Sequence, residues 1–161
     1  MKRIKLAIVA MLIVVCAAAT VGCFGGNSTP VAALKAYTSG TSSFNHKKAA
    51  GALYVKGSKE YDAWVKVAED EEKAMETAGI KKSDVKMTIT VKKTNIVISG
   101  ETATGSATVN IKGKVKVGAI SSSIDVKDAE LKNLAFKSID GKWYLNELSF
   151  DAAMGLAMLA G

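Results

Sequence analysis

The sequence predicts an α+β domain, with N-terminal helices packed in a curved, mostly antiparallel sheet and a signal segment in front. Three observations predict it. A short basic start is followed by a long uncharged stretch. Apolar residues then recur at three- and four-residue steps as far as Gly79, and from Met87 the period falls to two. Helices ahead of a run of strands give an α+β order, unlike the alternation that builds a doubly wound sheet.

Lys2, Arg3 and Lys5 precede residues 6–24, none of which is charged. Leu6 to Val15 is strongly apolar, and small residues follow at Ala17, Ala18, Ala19 and Gly22. This order reads as a secretory signal, with the basic start held on the cytoplasmic side. Thr20-Val21-Gly22-Cys23 resembles the lipobox of prokaryotic lipoproteins, in which the Cys is lipidated and becomes the new N-terminus. The resemblance implies a signal peptide over 1–22, a lipid on Cys23 and a tether over 23–29. It also implies attachment to the cell membrane on its extracytoplasmic face. The alternative is an uncleaved anchor, because residues 6–24 are just long enough to span a bilayer as a helix.

With 161 residues, 48% of them hydrophobic, the chain suits one folded domain and is too apolar for disorder. Its two Cys cannot build a disulfide framework: Cys16 leaves with the signal and Cys23 is consumed by lipid. The one Arg, Arg3, leaves too. The 22 cationic residues become 19 lysines against 15 acids, so the net charge falls from +7 to +4. A domain without Arg lacks the planar fork that reads phosphates and base edges, so nucleic acid is not an expected partner.

Thr29-Pro30 opens the first helix as N-cap and first helical residue. Val31, Leu34 and Tyr37 form its stripe, Gly40 is expected to end it, and Thr38 to Ser43 reads as a linker. A second helix is expected from Asn45 to about Tyr54, with Ala49, Ala52 and Leu53 inward. Ser58 caps a third, whose Tyr61, Trp64, Val65, Ala68, Met75 and Ala78 share one face. Gly79 is its C-cap and Ile80 the apolar follower. Glu69, Asp70, Glu71, Glu72 and Glu76 on the opposite side read as a solvated face.

Met87, Ile89 and Val91 mark a half-buried strand. From Thr102 to Val117 the alternation is unbroken. Ala103, Gly105, Ala107, Val109, Ile111, Gly113, Val115 and Val117 fall on one face, with Thr, Ser, Asn and Lys on the other. That is long for a strand, and Gly105 and Gly113 are places where it could bend, so it reads as one long curved strand or two in tandem. A loop is expected over Gly118 to Ser123, a strand over 129–139, a type I′ turn at Asp140-Gly141 and a return strand from Lys142 to Phe150.

The opening helix Pro30 to Tyr37, the stretch Ser43-Phe-Asn-His-Lys-Lys-Ala-Ala50 and the ending Ile139-Asp-Gly-Lys-Trp-Tyr-Leu145 together resemble the nuclear-transport-factor-2-like (cystatin-like) cone. They are closest in kind to its small prokaryotic lipoprotein members. The resemblance implies a domain over 30–151 whose curved sheet wraps around the helices and leaves a conical pocket. Tyr37, Trp64, Ala107, Val109, Ile111, Trp143 and Leu145 would line it.

Enzymes on that cone resemble ketosteroid isomerase, with a pocket acid or His and a hydrogen-bonding Tyr. Here Glu147 shares alternation with Trp143 and Leu145 and is the candidate acid, with Tyr37 as its hydroxyl partner. A bulge near Asn146 would instead turn Glu147 outward and bring Leu148 and Phe150 in. His46, the only histidine, reads as a surface or capping residue, and no acid/His cluster has metal-ligand spacing. Gly25-Gly26 has no strand–turn–helix context for a phosphate loop, and no cofactor is expected.

Lys112, Lys114 and Lys116 line one side of their strand. They would attract anions such as lipid headgroups or cell-wall polymers, but protection of an edge strand against aggregation is the preferred reading. Residues 152–161 are uncharged and too short to span a membrane. They are expected to fold back as a short helix, the rival being contact with the membrane.

The function expected is a membrane-tethered, non-catalytic binding or interaction module with an apolar conical pocket, taking a small apolar ligand or a protein partner. The alternative is a small isomerase-like or hydrolase-like enzyme using Glu147. A third possibility is a cone filled by its own side chains, acting only as an assembly surface.

Overall fold

The computed structural model describes residues 27–160. The signal segment, Cys23 and the first part of the tether lie outside the described residues. Within them the chain is α+β, with four helices and an open antiparallel four-stranded sheet.

Helix α1 spans Pro30–Ser42, and the Thr29 hydroxyl accepts its first free N–H from Ala32 at 3.1 Å. The helix runs through Gly40, where the sequence predicts an end. Gly40 serves contact there: a Cβ on it would lie 2.6 Å from the Ala49 nitrogen, so glycine lets the next helix approach. The predicted linker from Thr38 is therefore mostly helix. Its buried hydroxyls are satisfied locally, Thr38 donating to the Leu34 carbonyl at 3.0 Å and Thr41 to that of Tyr37 at 3.1 Å.

Phe44, at a φ of 53°, turns the chain. Asn45 then caps α2, His46–Leu53, by accepting from the Lys48 N–H at 2.9 Å. Helix α3, Lys59–Thr77, is capped by Ser58 and ends in a Schellman motif. Gly79 has a φ of 80°, and the buried Ile80 donates its N–H to the Met75 carbonyl at 3.0 Å.

A short 3₁₀ turn, Lys82–Asp84, leads into β1 (Val85–Ser99), which is followed by β2 (Thr102–Val117), β3 (Ile120–Ile139) and β4 (Lys142–Leu145). They pair in chain order as a meander. β2 is one strand throughout, the first of the two arrangements its alternation allows. β3 is longer than predicted. The expected loop over Gly118–Ser123 shrinks to Gly118-Ala119, because Ile120 to Ile124 pair in register with Val117 to Gly113. Serine is a weak strand former, and cross-strand pairing overrides that preference.

Three register shifts fall near the middle of the sheet, at Val91/Lys93 in β1 and at Gly105/Ala107 and Val109/Ile111 in β2. The two shifts in β2 face extra residues on β3, where Asp128 and Asn133 have positive φ. Such bulges bend a strand and increase its twist. Gly105 has a separate reason to be glycine, since a Cβ there would lie 2.1 Å from the Asn95 carbonyl oxygen of β1.

The pairing also corrects the reading of Lys112, Lys114 and Lys116. β2 lies between β1 and β3 and is no edge strand, so edge protection does not account for them.

The return strand ends at Leu145, and the rest is helix α4, Glu147–Ala160. Asn146 makes the switch: its side chain accepts from the Ser149 N–H at 3.0 Å and its carbonyl from that of Phe150 at 3.2 Å. Residues 152–160 thus continue a helix that starts upstream. The helix lays Phe150, Ala153, Met154 and Ala157 against the core. That core is one cluster of α1, α2, α4 and one sheet face, around the fully buried Leu34, Val109, Leu131, Leu134 and Leu145. Burial of each such side chain is worth about 1.5–3 kcal/mol.

Candidate functional site

Glu147 is placed by the first turn of α4, with a position that no strand alternation governs. Leu148 is exposed and Phe150 is buried. Its partners come from two other helices. The Trp64 indole N–H of α3 donates to Oε1 at 2.5 Å, and the hydroxyl of Tyr54, which caps α2, donates to Oε2 at 2.9 Å. Tyr37, the partner expected from the sequence, lies elsewhere, packing edge-on against Phe150 with ring centroids 4.9 Å apart.

The electrostatics around Glu147 are concentrated. Burial, then the adjacent Glu147 charge, pushes the Tyr54 hydroxyl up to about 12. Asp151, one turn further along α4, is pushed up to about 6 by the protein crowded around its carboxyl and by Glu147. Much of its surface nevertheless stays open to water. Glu71 on α3 is raised for the same two reasons, burial first. Both oxygens of Glu147 are engaged by protein donors, so the carboxylate joins α2, α3 and α4.

His46 is 1% exposed, which corrects its expected place at the surface. Its Nε2 lies 3.1 Å from Glu72 Oε2, and Lys82 Nζ lies 2.6 Å from the other oxygen of that carboxylate. The acidic run on α3 is accordingly divided. Glu69, Asp70 and Glu76 face solvent, whereas Glu72 turns inward to the α2 N-terminus and Glu71 is half-buried towards Glu147. Among the described residues no group of three or more His, Cys, Asp or Glu is arranged to hold a metal ion. None of the helices among them is long and apolar enough to cross a membrane.

Of the residues expected to line a pocket, Tyr37, Ala107, Val109, Ile111, Trp143 and Leu145 pack into the core cluster, and Trp64 lies partly buried against it. A cavity of about 380 Å³ lies instead between β3 and α4. Val126, Ala129, Ala153, Leu156 and Ala157 form its apolar walls, and Lys127, Asp128, Glu130 and Lys132 bring charge to it. Asp128 sits at the β3 bulge, where its N–H bonds to Asn110 Oδ1 at 2.9 Å and its carboxylate meets Lys92 Nζ at 3.3 Å. Sequence reasoning missed this groove because it depends on α4 lying along β3. Asn146, a capping residue directly before Glu147, was the available signal for that helix.

Fold and groove define an α+β chain with an open antiparallel sheet covered by helices on one face. A solved structure it is similar to is that of Rv3472, a protein of unknown function from Mycobacterium tuberculosis. The TM-score is 0.47 at 13% identity, over 81% of this chain and 85% of that one. No protein-family model matches the chain, and no curated protein matches it.

Proposed function

We propose that the protein is a lipid-tethered, extracytoplasmic, non-catalytic binding module whose ligand site is the groove between β3 and α4. The observation that carries the binding role is the groove itself. Its volume falls within the range of small-molecule sites, with apolar walls and a few charged groups at hand. Leu156 is 67% exposed there, an apolar side chain that the described residues leave largely uncovered. A small apolar ligand, or the apolar side chains of a protein partner, would bury it.

The tether rests on the basic start, the uncharged run and the Gly22-Cys23 junction, which together suit export and lipidation. The cone of the nuclear-transport-factor-2-like class is the architecture we infer for the sheet, supported by helices on one face and bulges across its middle. The interior of that cone is filled by Leu34, Leu131, Leu134 and their neighbours, which moves the binding site to its rim.

An apolar fluorophore tests the site. Binding by the full chain should weaken roughly fivefold in Leu156→Asp, which loses an apolar wall without touching the core. Equal affinity in the two proteins would remove the groove as the site.

A second reading, a small isomerase-like or hydrolase-like enzyme using Glu147, is favoured by one observation, the raised carboxyls of Asp151 and Glu71 beside it. Against it, each oxygen of Glu147 already accepts a bond from a structural side chain. An activity abolished by Glu147→Gln in a protein of unchanged stability would favour this reading over the first.

A further inference from the structure

We propose that the β2–β3 hairpin tip and the lysines beside it form a second membrane contact, seated on an anionic lipid surface. Two independent features meet at this end of the sheet. Val117, Gly118, Ala119 and Ile120 are all exposed, and Ile120 is 67% so, giving a tip that is apolar and uncharged. Directly behind it, Lys112, Lys114 and Lys116 project from the sheet face turned away from the helices, and Lys86 of β1 stands opposite Lys114 in register.

Like charges placed directly opposite one another on a sheet are unfavourable unless an anion lies between them. The carboxylate near this cluster is that of Asp125, 3.9 Å from Lys112. Among the described residues no ion pair engages Lys86, Lys114 or Lys116. Directly across from the lysines stand Thr88, Ser121 and Ser123, so the cluster itself holds no apolar side chain.

Charge complementarity selects a polyanion, and the apolar tip selects a bilayer over a soluble polymer. Lysine suits diffuse headgroup attraction, whereas recognition of a single phosphate favours the arginine fork that the described residues lack. The tip lies roughly 50 Å along β2 from the sheet end where Asn27 joins β4. In register Val117 and Ile120 share the helix-side face and Lys116 the other, so the hairpin meets the bilayer by its end.

The test uses the full chain with vesicles of phosphatidylcholine alone or mixed equally with phosphatidylglycerol, reading lysine acetylation site by site. Lys86, Lys112, Lys114 and Lys116 should react about fivefold more slowly on the anionic vesicles, and high salt should abolish the difference. Lys47 and Lys66 on the helices should react alike on both. Ile120→Ser and Lys114→Glu should each remove the protection. Equal rates on the two vesicles overturn the proposal. So does protection that survives in Ile120→Ser and is reproduced by a soluble glycerol phosphate polymer. A chain that fails to float with phosphatidylcholine alone refutes the N-terminal tether and leaves this contact to be judged on the anionic vesicles.

Discussion

The Trp64 indole N–H and the Glu147 carboxylate, 83 positions apart in sequence, meet at 2.5 Å and join α3 to the first turn of α4. Tyr54 closes the other oxygen, so one carboxylate holds three helices. A hydrogen bond to a charged acceptor contributes more than a neutral one, typically about 1.5–3 kcal/mol. Denaturant unfolding of Trp64→Phe, Glu147→Gln and the double variant should give a coupling energy at the lower end of that range, since the site is partly open to water. Additive losses would show that the contact contributes nothing to holding α4.

Stability should rise as pH falls from 7 towards 4. The Asp151 carboxyl titrates at about 6 in the folded chain, above its ordinary 3.8. The folded state therefore binds its proton first, and the stabilisation is complete below the unfolded value and lost as pH rises through 6. Glu71 acts in the same direction. Thermal melts across this range should show the slope, and Asp151→Asn should flatten it. A slope unchanged in that variant would assign it to other groups.

Two glycines are predicted to resist a single methyl group. Gly40→Ala drives a Cβ against the α2 backbone and Gly105→Ala drives one into the Asn95 carbonyl, each costing about 1–3 kcal/mol or more. Gly51, inside α2 with open space around its Cα, should respond oppositely, with Gly51→Ala stabilising by about 0.5–1 kcal/mol. Chemical denaturation of the three variants separates close approach from plain helix propensity.

Deleting residues 152–161 removes the buried Ala153, Met154 and Ala157 and uncovers the β3 side of the core. The melting temperature should fall by several degrees, since about 1 kcal/mol shifts a domain of this size by roughly 2–8 °C. An unchanged melt would mean that α4 is not docked.

Local chemistry was legible in the sequence wherever it decided the outcome. Thr29 and Ser58 cap the helices they are expected to cap, and the alternation from Thr102 to Val117 is one strand. Outcomes that depend on distant partners were not legible. Gly40 resembles a helix terminator until Ala49 is seen against it, and Ile120 to Ser123 resemble a loop until β2 pairs with them. The lysines of β2 suggest an edge until β1 covers that side. Glu147 reads in the sequence as a strand residue beside Trp143 and Leu145 with Tyr37 as its partner, and the structure places it on a helix instead. Asn146 as a cap outweighs the alternation of Trp143 and Leu145, and it is Tyr54 that reaches the carboxylate.

Native mass spectrometry of the protein released from its own membrane tests the central claim most directly. A tethered binding module predicts a chain beginning at Cys23, carrying acyl mass and retaining a small apolar molecule that Leu156→Asp releases. A chain that keeps Met1, bears no acyl group and holds nothing in the groove would contradict it.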